Sequence, residues 1–204
     1  MSFMRFPAVL SIAVLSLSVS SSLPVDAKMP KAAPVAAVVT GPERVETTTY
    51  NSWTVSCREI VGAGSRKTCS AILRAVDRSG NPLMVWIIGL GHDGKLTSAI
   101  RTPTGVTLTD KTSGAKTTGL MIKDGLNLEL GKLESGKPAI HHLNYLLCEP
   151  QWCEASAPMD ERFVKDALAA TNAVVIIYAA GDRAVRYPSL PLKGIDKAIS
   201  MVRR

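Results

Sequence analysis

The 204-residue sequence has few aromatic residues, few histidines and few cysteines. Aromatic side chains make up 5% of the chain, and there are 3 histidines and 4 cysteines. After the N-terminal region, no apolar run reaches the roughly 20 residues that a membrane-spanning helix needs. The hydrophobic fraction of 46% and charged fraction of 20% are typical of a globular protein. They exclude a disordered tail and a collagen-like fibre.

Sequence signatures of catalysis are also lacking, since no nucleophile elbow, zincin helix or lysozyme-like pair of carboxylates is found. A phosphate-loop-like pattern, G-x4-G-K, occurs at residues 131–137, but Pro138 stands where magnesium binding needs a Ser or Thr hydroxyl. We interpret that stretch as a basic β-turn. Asp160 and Glu161 fit the first turn of a helix better than an active site. We therefore expect a protein that is not an enzyme and has no cofactor.

The histidines offer no close pair of metal ligands. His141 and His142 are adjacent on a predicted strand, so their side chains are expected on opposite faces. His92 lies in a glycine-rich turn beside Asp93. A site that combines His92 with one of the other two is the alternative, but without a close ligand pair we expect no metal.

The N-terminal residues have the pattern of an export signal. A basic start, an apolar run and the ending Val25-x-Ala27 predict a secretory signal peptide over residues 1–27. An uncleaved anchor is the alternative, but the run is short and diluted by serines. Residues 28–45, rich in Ala, Pro and Val, predict an extended linker. The folded domain is then expected over residues 46–204.

The four cysteines form two local pairs. In an exported chain thiols are normally oxidised, and the short spacings C-x11-C and C-x4-C pair Cys57 with Cys69 and Cys148 with Cys153. A redox-active centre needs C-x-x-C at a helix N-terminus. A four-ligand zinc site is also not expected, because the residues between the two cysteine pairs carry no second C-x2-C pair. We therefore predict two structural disulfides.

Hydrophobic periodicity predicts a mainly β fold, because short alternating or apolar segments recur between Gly, Pro, Asp and Ser turns. The run at 83–90, LMVWIIGL, is apolar on both faces and indicates a central strand. The predicted strands are 49–57, 67–77, 83–90, 96–102, 106–108, 116–122, 126–130, 140–148, 173–179 and 183–187.

Two short helices are predicted near the C-terminus, at 160–170 and 194–202. The first has an apolar stripe of Phe163, Val164, Ala167 and Leu168. The second has a stripe of Ile195, Ala198, Ile199 and Val202. Both stripes are expected to face the body of the domain.

Four motifs follow one another along the chain: W-T-V-S-C at 53–57, T-P-T-G-V-T-L at 102–108, C-x4-C-E-A at 148–155 and Y-P-S-L-P-L-K-G-I-D-K-A at 187–198. With the export signal, this order resembles the invasion-associated locus B family of exported bacterial proteins. The resemblance implies an immunoglobulin-like β-sandwich and a cell-envelope or surface protein, linked in pathogenic members to entry into host cells. It implies no catalytic residues. Trp152 stands where that family commonly has Gly.

Trp152 is the candidate contact residue. It lies in the short predicted disulfide loop, where a rigid aromatic side chain suits a contact hot spot. The alternative is that it caps the adjacent core, because tryptophan is mostly buried. Trp53 and Trp86 fall on strand positions that are expected to face the core.

The formal net charge of +7 favours polyanions or anionic membrane surfaces as partners. The basic residues are spread along the chain: Arg58, Arg66, Lys67, Arg74, Arg78, Lys132, Lys137, Arg183, Arg186, Lys193, Lys197, Arg203 and Arg204. Polyanion binding and simple solubility both remain open. We predict a non-enzymatic protein in the periplasm or on the cell surface that contacts an envelope or host-surface protein or polyanion. The alternative is a periplasmic carrier of a small ligand or polyanion, and nucleic acid is not expected.

Overall fold

The structure is a computed structural model that describes residues 41–62, 66–105, 107–109, 112–114, 116–132, 136–179, 183–187 and 189–204. The predicted signal peptide and most of the predicted linker lie outside these residues, so both stay predictions. The first strand begins at Glu43, shortly before the predicted start of the domain.

The described chain is mainly β with two short helices near the C-terminus, which confirms the predicted fold class. The strands are β1 (Glu43–Tyr50), β2 (Trp53–Ile60), β3 (Lys67–Val76), β4 (Pro82–Leu90), β5 (Leu96–Pro103), β6 (Thr107–Thr109), β7 (Lys116–Thr118), β8 (Leu126–Lys132), β9 (Pro138–Cys148), β10 (Trp152–Pro158), β11 (Asn172–Ala179), β12 (Arg183–Arg186) and β13 (Leu190–Pro191). The helices are α1 (Glu161–Ala169) and α2 (Ile195–Val202), and a 3-10 helix (Ile122–Asp124) precedes β8.

The strands form an open antiparallel sheet in the order β1-β2-β3-β4-β5-β10-β9-β8-β11-β12, with β13 also on β11, while β6 and β7 form a separate hairpin. Strand β9 changes partner along its length. Its residues 138–143 pair with β8, and its residues 144–148 pair with β10. The sheet therefore has two halves joined through β9. Inward-facing side chains from both halves belong to one hydrophobic cluster, so the two halves share a single core.

The two predicted core tryptophans lie at the centre of this cluster. Trp53 and Trp86 are both 0% exposed, and their ring centroids are 5.2 Å apart in an edge-to-face arrangement. The Trp86 Nε1 donates a hydrogen bond to the buried Ser98 Oγ at 2.9 Å. Strand β4 lies between β3 and β5, as its apolar sequence predicts. Its alternate residues Val85 and Ile87 are only half-buried on the outer face of the sheet.

Both helices lie where the sequence predicts, and α1 begins at the expected N-cap, because the Asp160 Oδ1 accepts from the Phe163 backbone N–H at 2.7 Å. Helix α2 buries all four residues of its predicted stripe. In α1 the prediction is wrong for Leu168, which is 48% exposed. At about 100° per residue, Leu168 lies beyond the arc that Phe163, Ala167 and Val164 span on the helix.

Gly194 ties α2 to the first hairpin. It precedes α2 with φ of +93°, and a Cβ at this position would collide with the Tyr50 carbonyl oxygen. The glycine in the L-K-G-I-D stretch is therefore required by a close backbone approach.

Two strand predictions are wrong in their bounds, and strand β10 is missed. Residues 49–57 do not form one strand, because Asn51, with φ of +54°, turns the chain between β1 and β2. The predicted strand 116–122 ends at Thr118 and is followed by the 3-10 helix. Strand β10 follows the second disulfide, where the sequence analysis predicts no strand. Its small residues lack the apolar alternation on which strand prediction depends.

Two core-facing tyrosines give the fold a dependence on alkaline pH. Burial, together with a smaller effect of the nearby Tyr145, raises the pKa of Tyr187 from 10.0 to about 12. The folded protein therefore holds this proton more tightly than the unfolded chain does. Its contribution to stability is complete below about pH 10 and is lost as the pH rises towards about 12.

We expect Tyr187→Phe to flatten part of the fall in unfolding free energy between pH 10 and about pH 12. Urea unfolding across this range, with an ultraviolet absorbance titration of the phenols, measures the effect. Tyr50, which lies on β1 near α2, provides the matched Tyr50→Phe control. Equal losses of stability in the wild-type and Tyr187→Phe proteins would contradict this assignment.

Candidate functional site

The outer face of the sheet carries a groove of about 240 Å³ beside the second disulfide loop. We call it the Trp152 groove. Its walls come from strands β4, β5, β9 and β10 and from the loop that joins β9 to β10. The lining residues are Val85, Arg101, Leu147, Glu149, Trp152 and Glu154.

Cross-strand register places four of these residues in one row. Val85 lies opposite Arg101, which lies opposite Glu154, which in turn lies opposite Leu147. Side chains alternate between faces along a strand, so the sequence neighbours of Val85, Arg101 and Glu154 point inwards and are buried. The inward Cys153, for example, is only 1% exposed. The row therefore forms a continuous outward strip across the sheet.

Trp152 lies on this outward side and is half-buried. It precedes the inward Cys153 on β10 and is paired with Pro103 of β5. Strand alternation thus directs its side chain away from the core that Cys153 faces. This position agrees with the predicted surface location, whereas its role in contact stays a proposal.

The loop that carries Trp152 is fixed by hydrogen bonds and a crosslink. The Thr104 Oγ1 donates to the Pro150 carbonyl oxygen at 2.7 Å, and the Thr104 N–H donates to the Gln151 carbonyl at 3.0 Å. The Glu149 N–H donates to the Trp152 carbonyl at 2.7 Å. A side chain on such a loop loses little conformational freedom when a partner binds.

A β-bulge exposes two leucines beside the groove. Glu154 lies opposite Leu147 while the next residue, Ala155, lies opposite Tyr145, so Leu146 is an extra residue in β9. Leu146 is 71% exposed and Leu147 is 57% exposed. Without the bulge, strict alternation from the core-packed Tyr145 would direct Leu147 inwards. The bulge therefore adds Leu147 to the outer face.

The groove combines one guanidinium with two carboxylates. The Arg101 Nε donates to the Glu154 Oε2 at 2.6 Å, and both side chains remain partly exposed to solvent. Such an exposed pair contributes about 0–1 kcal/mol to stability. Its main consequence is that Arg101 and Glu154 are held in place. Glu149, in contrast, is exposed at the rim of the groove. The local balance is acidic on a chain whose net charge is +7.

Both predicted cysteine pairs lie at disulfide distance. The Cys57 and Cys69 sulfurs are 2.05 Å apart, and those of Cys148 and Cys153 are 1.99 Å apart. Each pair joins directly opposite residues of neighbouring strands. The first pair is buried in the core, whereas Cys148 of the second is exposed beside the groove.

The adjacent histidines face opposite sides of β9, as predicted. The His141 ring stacks on Phe163 with centroids 3.9 Å apart, and its Nε2 lies 3.0 Å from the Asp166 Oδ2. The His142 Nδ1 lies 2.9 Å from the Asn127 Oδ1. Across the described part of the chain, no group of three or more His, Cys, Asp and Glu residues is placed to hold a metal ion.

Several of the spread basic residues are paired with carboxylates. Lys67 Nζ lies 2.7 Å from Glu46, and Arg186 lies 2.8 Å from Glu129. Arg58 lies at a longer 3.7 Å from its carboxylate partner on β1. The described helices include none that is both long and apolar enough to cross a membrane.

Sequence reasoning identified Trp152 but missed the other five residues of the groove. They are separated along the chain and become neighbours only through the strand register and the bulge. The E-A alternation after Cys153 was the one available signal, since it places Glu154 on the same face as Trp152.

Trp152 should be the tryptophan that a quencher reaches. Trp53 and Trp86 are 0% exposed, whereas Trp152 is half-buried at the surface. We expect acrylamide to quench one component of the fluorescence of the folded protein, and Trp152→Phe to remove that component. Equal quenching of the wild-type and Trp152→Phe proteins would show that a core tryptophan is accessible.

Comparison with known proteins finds a family match over part of the chain. The model of the invasion associated locus B (IalB) protein family matches residues 117–203. The match confirms the predicted resemblance to that family over this part of the chain. The IalB match includes β9, β10 and the loop of Trp152, together with both helices.

The fold is also similar to a crystal structure of invasion associated protein B from Bartonella henselae. The TM-score is 0.58 at 17% sequence identity, and the similarity covers 77% of this chain and 95% of that chain. At this identity the likeness concerns the fold alone. A search of curated proteins found no match to the sequence.

Proposed function

We propose that this protein is an exported, non-enzymatic envelope protein of the IalB type that acts by binding another envelope or host-surface protein through the Trp152 groove. The observation that carries the proposal is the combination of an outward, rigidly held Trp152 with the exposed Leu146 and Leu147. Aromatic anchors surrounded by apolar contacts dominate the energetics of protein interfaces. Exposed apolar patches of this kind mark interaction sites.

The size of the groove favours protein contact over the transport of a small ligand. Small-molecule sites usually enclose about 300–1,000 Å³. The Trp152 groove has a volume of about 240 Å³ and opens on the outer face of a sheet. That volume suits one large side chain from a partner better than an entire enclosed ligand.

The charges of the groove also argue against a polyanion at this position. Glu149 and Glu154 would repel phosphate or sulfate groups, and Arg101 is already paired with Glu154. Elsewhere Lys67 and Arg186 are paired as well. The net positive charge is therefore better explained by solubility than by a polyanion site in the groove.

Location and catalytic status rest on the sequence and the covalent framework. Two cysteine pairs at disulfide distance are compatible with an oxidising compartment outside the cytosol. The signal pattern at residues 1–27 supports export to the periplasm or cell surface. The lack of a recognised catalytic motif in the sequence supports a binding role. The similar crystal structure is of an invasion associated protein, which supports host-cell association as the setting.

Crosslinking in intact cell envelope tests the proposed function. We expect the wild-type protein to form one discrete, stoichiometric protein adduct and Trp152→Ala to reduce it at least tenfold, since hot-spot truncation costs about 2 kcal/mol or more. Leu168→Ala, which alters an exposed leucine on α1, is the matched control and should retain the adduct. An adduct that persists in Trp152→Ala would contradict the proposed site.

A further inference from the structure

We propose that the Trp152 groove accepts a lysine side chain presented by the partner protein. This inference rests on the proposed function and specifies the chemistry of its partner. It is carried by the juxtaposition of two apolar walls, one indole and two carboxylates within a single groove.

The apolar walls suit the stem of a lysine. Val85 and Leu147 lie at the two ends of the row that runs across the sheet, and Trp152 lines the same groove. A lysine side chain buries its four methylene groups along apolar surface and keeps its charged end near polar groups. An indole also attracts a nearby cation through its ring quadrupole.

The carboxylates supply charge complementarity. Glu154 is engaged by Arg101 at 2.6 Å, whereas Glu149 makes no ion pair with any described residue. The Glu149 carboxylate is therefore available to an incoming cation, whereas the charges of Arg101 and Glu154 neutralise each other. An acidic side chain from a partner would instead meet Glu149 and Glu154 at short range.

The same charges favour lysine over arginine. A lysine ammonium is a compact point charge, whereas the planar guanidinium needs several acceptors arranged around it. Arg101 already binds the Glu154 carboxylate, which leaves Glu149 as the acceptor for the cation of the partner. Arg74, outward on β3, lies beyond Val85 and does not line the groove.

Three peptides that differ at one central position test the proposal on the full mature protein. The central residue is lysine, norleucine, which keeps the stem without the charge, or acetyl-lysine. Binding is followed by the indole N–H signal of Trp152 in NMR spectra, assigned with Trp152→Phe. We expect the lysine peptide to bind at least tenfold more tightly than either of the other two peptides. We also expect its binding to weaken at high salt.

Glu149→Gln separates the cation from the apolar contact. This variant should remove the preference for lysine over norleucine, because it deletes the available charge and keeps the side-chain volume. Glu43→Gln, which alters an exposed carboxylate on β1 outside the groove, is the matched control and should retain the preference. Retention of the lysine preference in Glu149→Gln would overturn the proposal.

The remaining outcomes distinguish this inference from the proposed function. Equal binding of the norleucine and lysine peptides would overturn the recognition of lysine and leave the groove as a contact site. If no peptide shifts the Trp152 signal while Trp152→Ala still abolishes the envelope adduct, the lysine inference fails and the proposed function stands. If the adduct is also unaffected, both fail.

Discussion

Replacing Trp86 with alanine is expected to lower the free energy of unfolding by about 3–5 kcal/mol, the usual cost of truncating a fully buried tryptophan. The side chain is 0% exposed and packs edge-to-face against Trp53. The change also leaves the buried Ser98 hydroxyl without the indole N–H to which it is bonded. Urea unfolding followed by circular dichroism, with both disulfides intact, measures the loss.

Trp152→Ala is the matched control for this experiment. Trp152 is half-buried on the outer face, so its truncation should change stability by no more than about 1 kcal/mol. The two variants therefore separate the core role of one tryptophan from the contact role of the other. Similar losses of stability in both would contradict the assignment of Trp152 to the outer face.

Removing the Cys57–Cys69 crosslink is expected to lower the free energy of unfolding by about 3 kcal/mol. The double variant Cys57→Ala/Cys69→Ala tests this crosslink, which closes a sequence separation of 12. The double variant Cys148→Ala/Cys153→Ala removes a crosslink across a separation of 5 and should cost about 2 kcal/mol. The order follows from chain entropy, because the longer loop loses more freedom in the unfolded state.

Loss of the Cys57–Cys69 crosslink should cost more stability, whereas loss of the Cys148–Cys153 crosslink should cost more binding. Loss of Cys148–Cys153 frees the loop of Trp152 and should reduce the envelope adduct more than loss of the buried Cys57–Cys69 does. Chemical denaturation and envelope crosslinking of the two double variants measure both properties. Four reactive thiols in the denatured, unreduced wild-type protein would refute the entire covalent framework.

Strongly patterned elements could be predicted from the sequence. The apolar run of β4, the inward tryptophans and the four-residue stripe of α2 each depend on local periodicity, and each is found as predicted. Both cysteine pairs also follow from short local spacing. Leu168 shows the limit of such patterns, because a residue just beyond the buried arc of α1 is apolar but exposed.

The edge strand and the groove could not be predicted in the same way. Strand β1 is mostly charged residues and threonine, since an edge strand with little burial needs no apolar face. Strand β10 alternates small residues, so its inward positions give little hydrophobic signal. The groove depends on which residues lie opposite each other across β4, β5, β10 and β9. The shift at Leu146 is set by that pairing and has no local sequence signature.

Photocrosslinking in living cells tests the central claim most directly, namely that this protein binds a partner through the Trp152 groove. A photoreactive phenylalanine derivative is placed at Leu147 in the groove and, as a control, at Leu168 on α1; both positions are exposed leucines. We predict one discrete protein adduct from position 147 and none of that mass from position 168. The same adduct from position 168, or none from position 147 in a folded protein, would contradict the account.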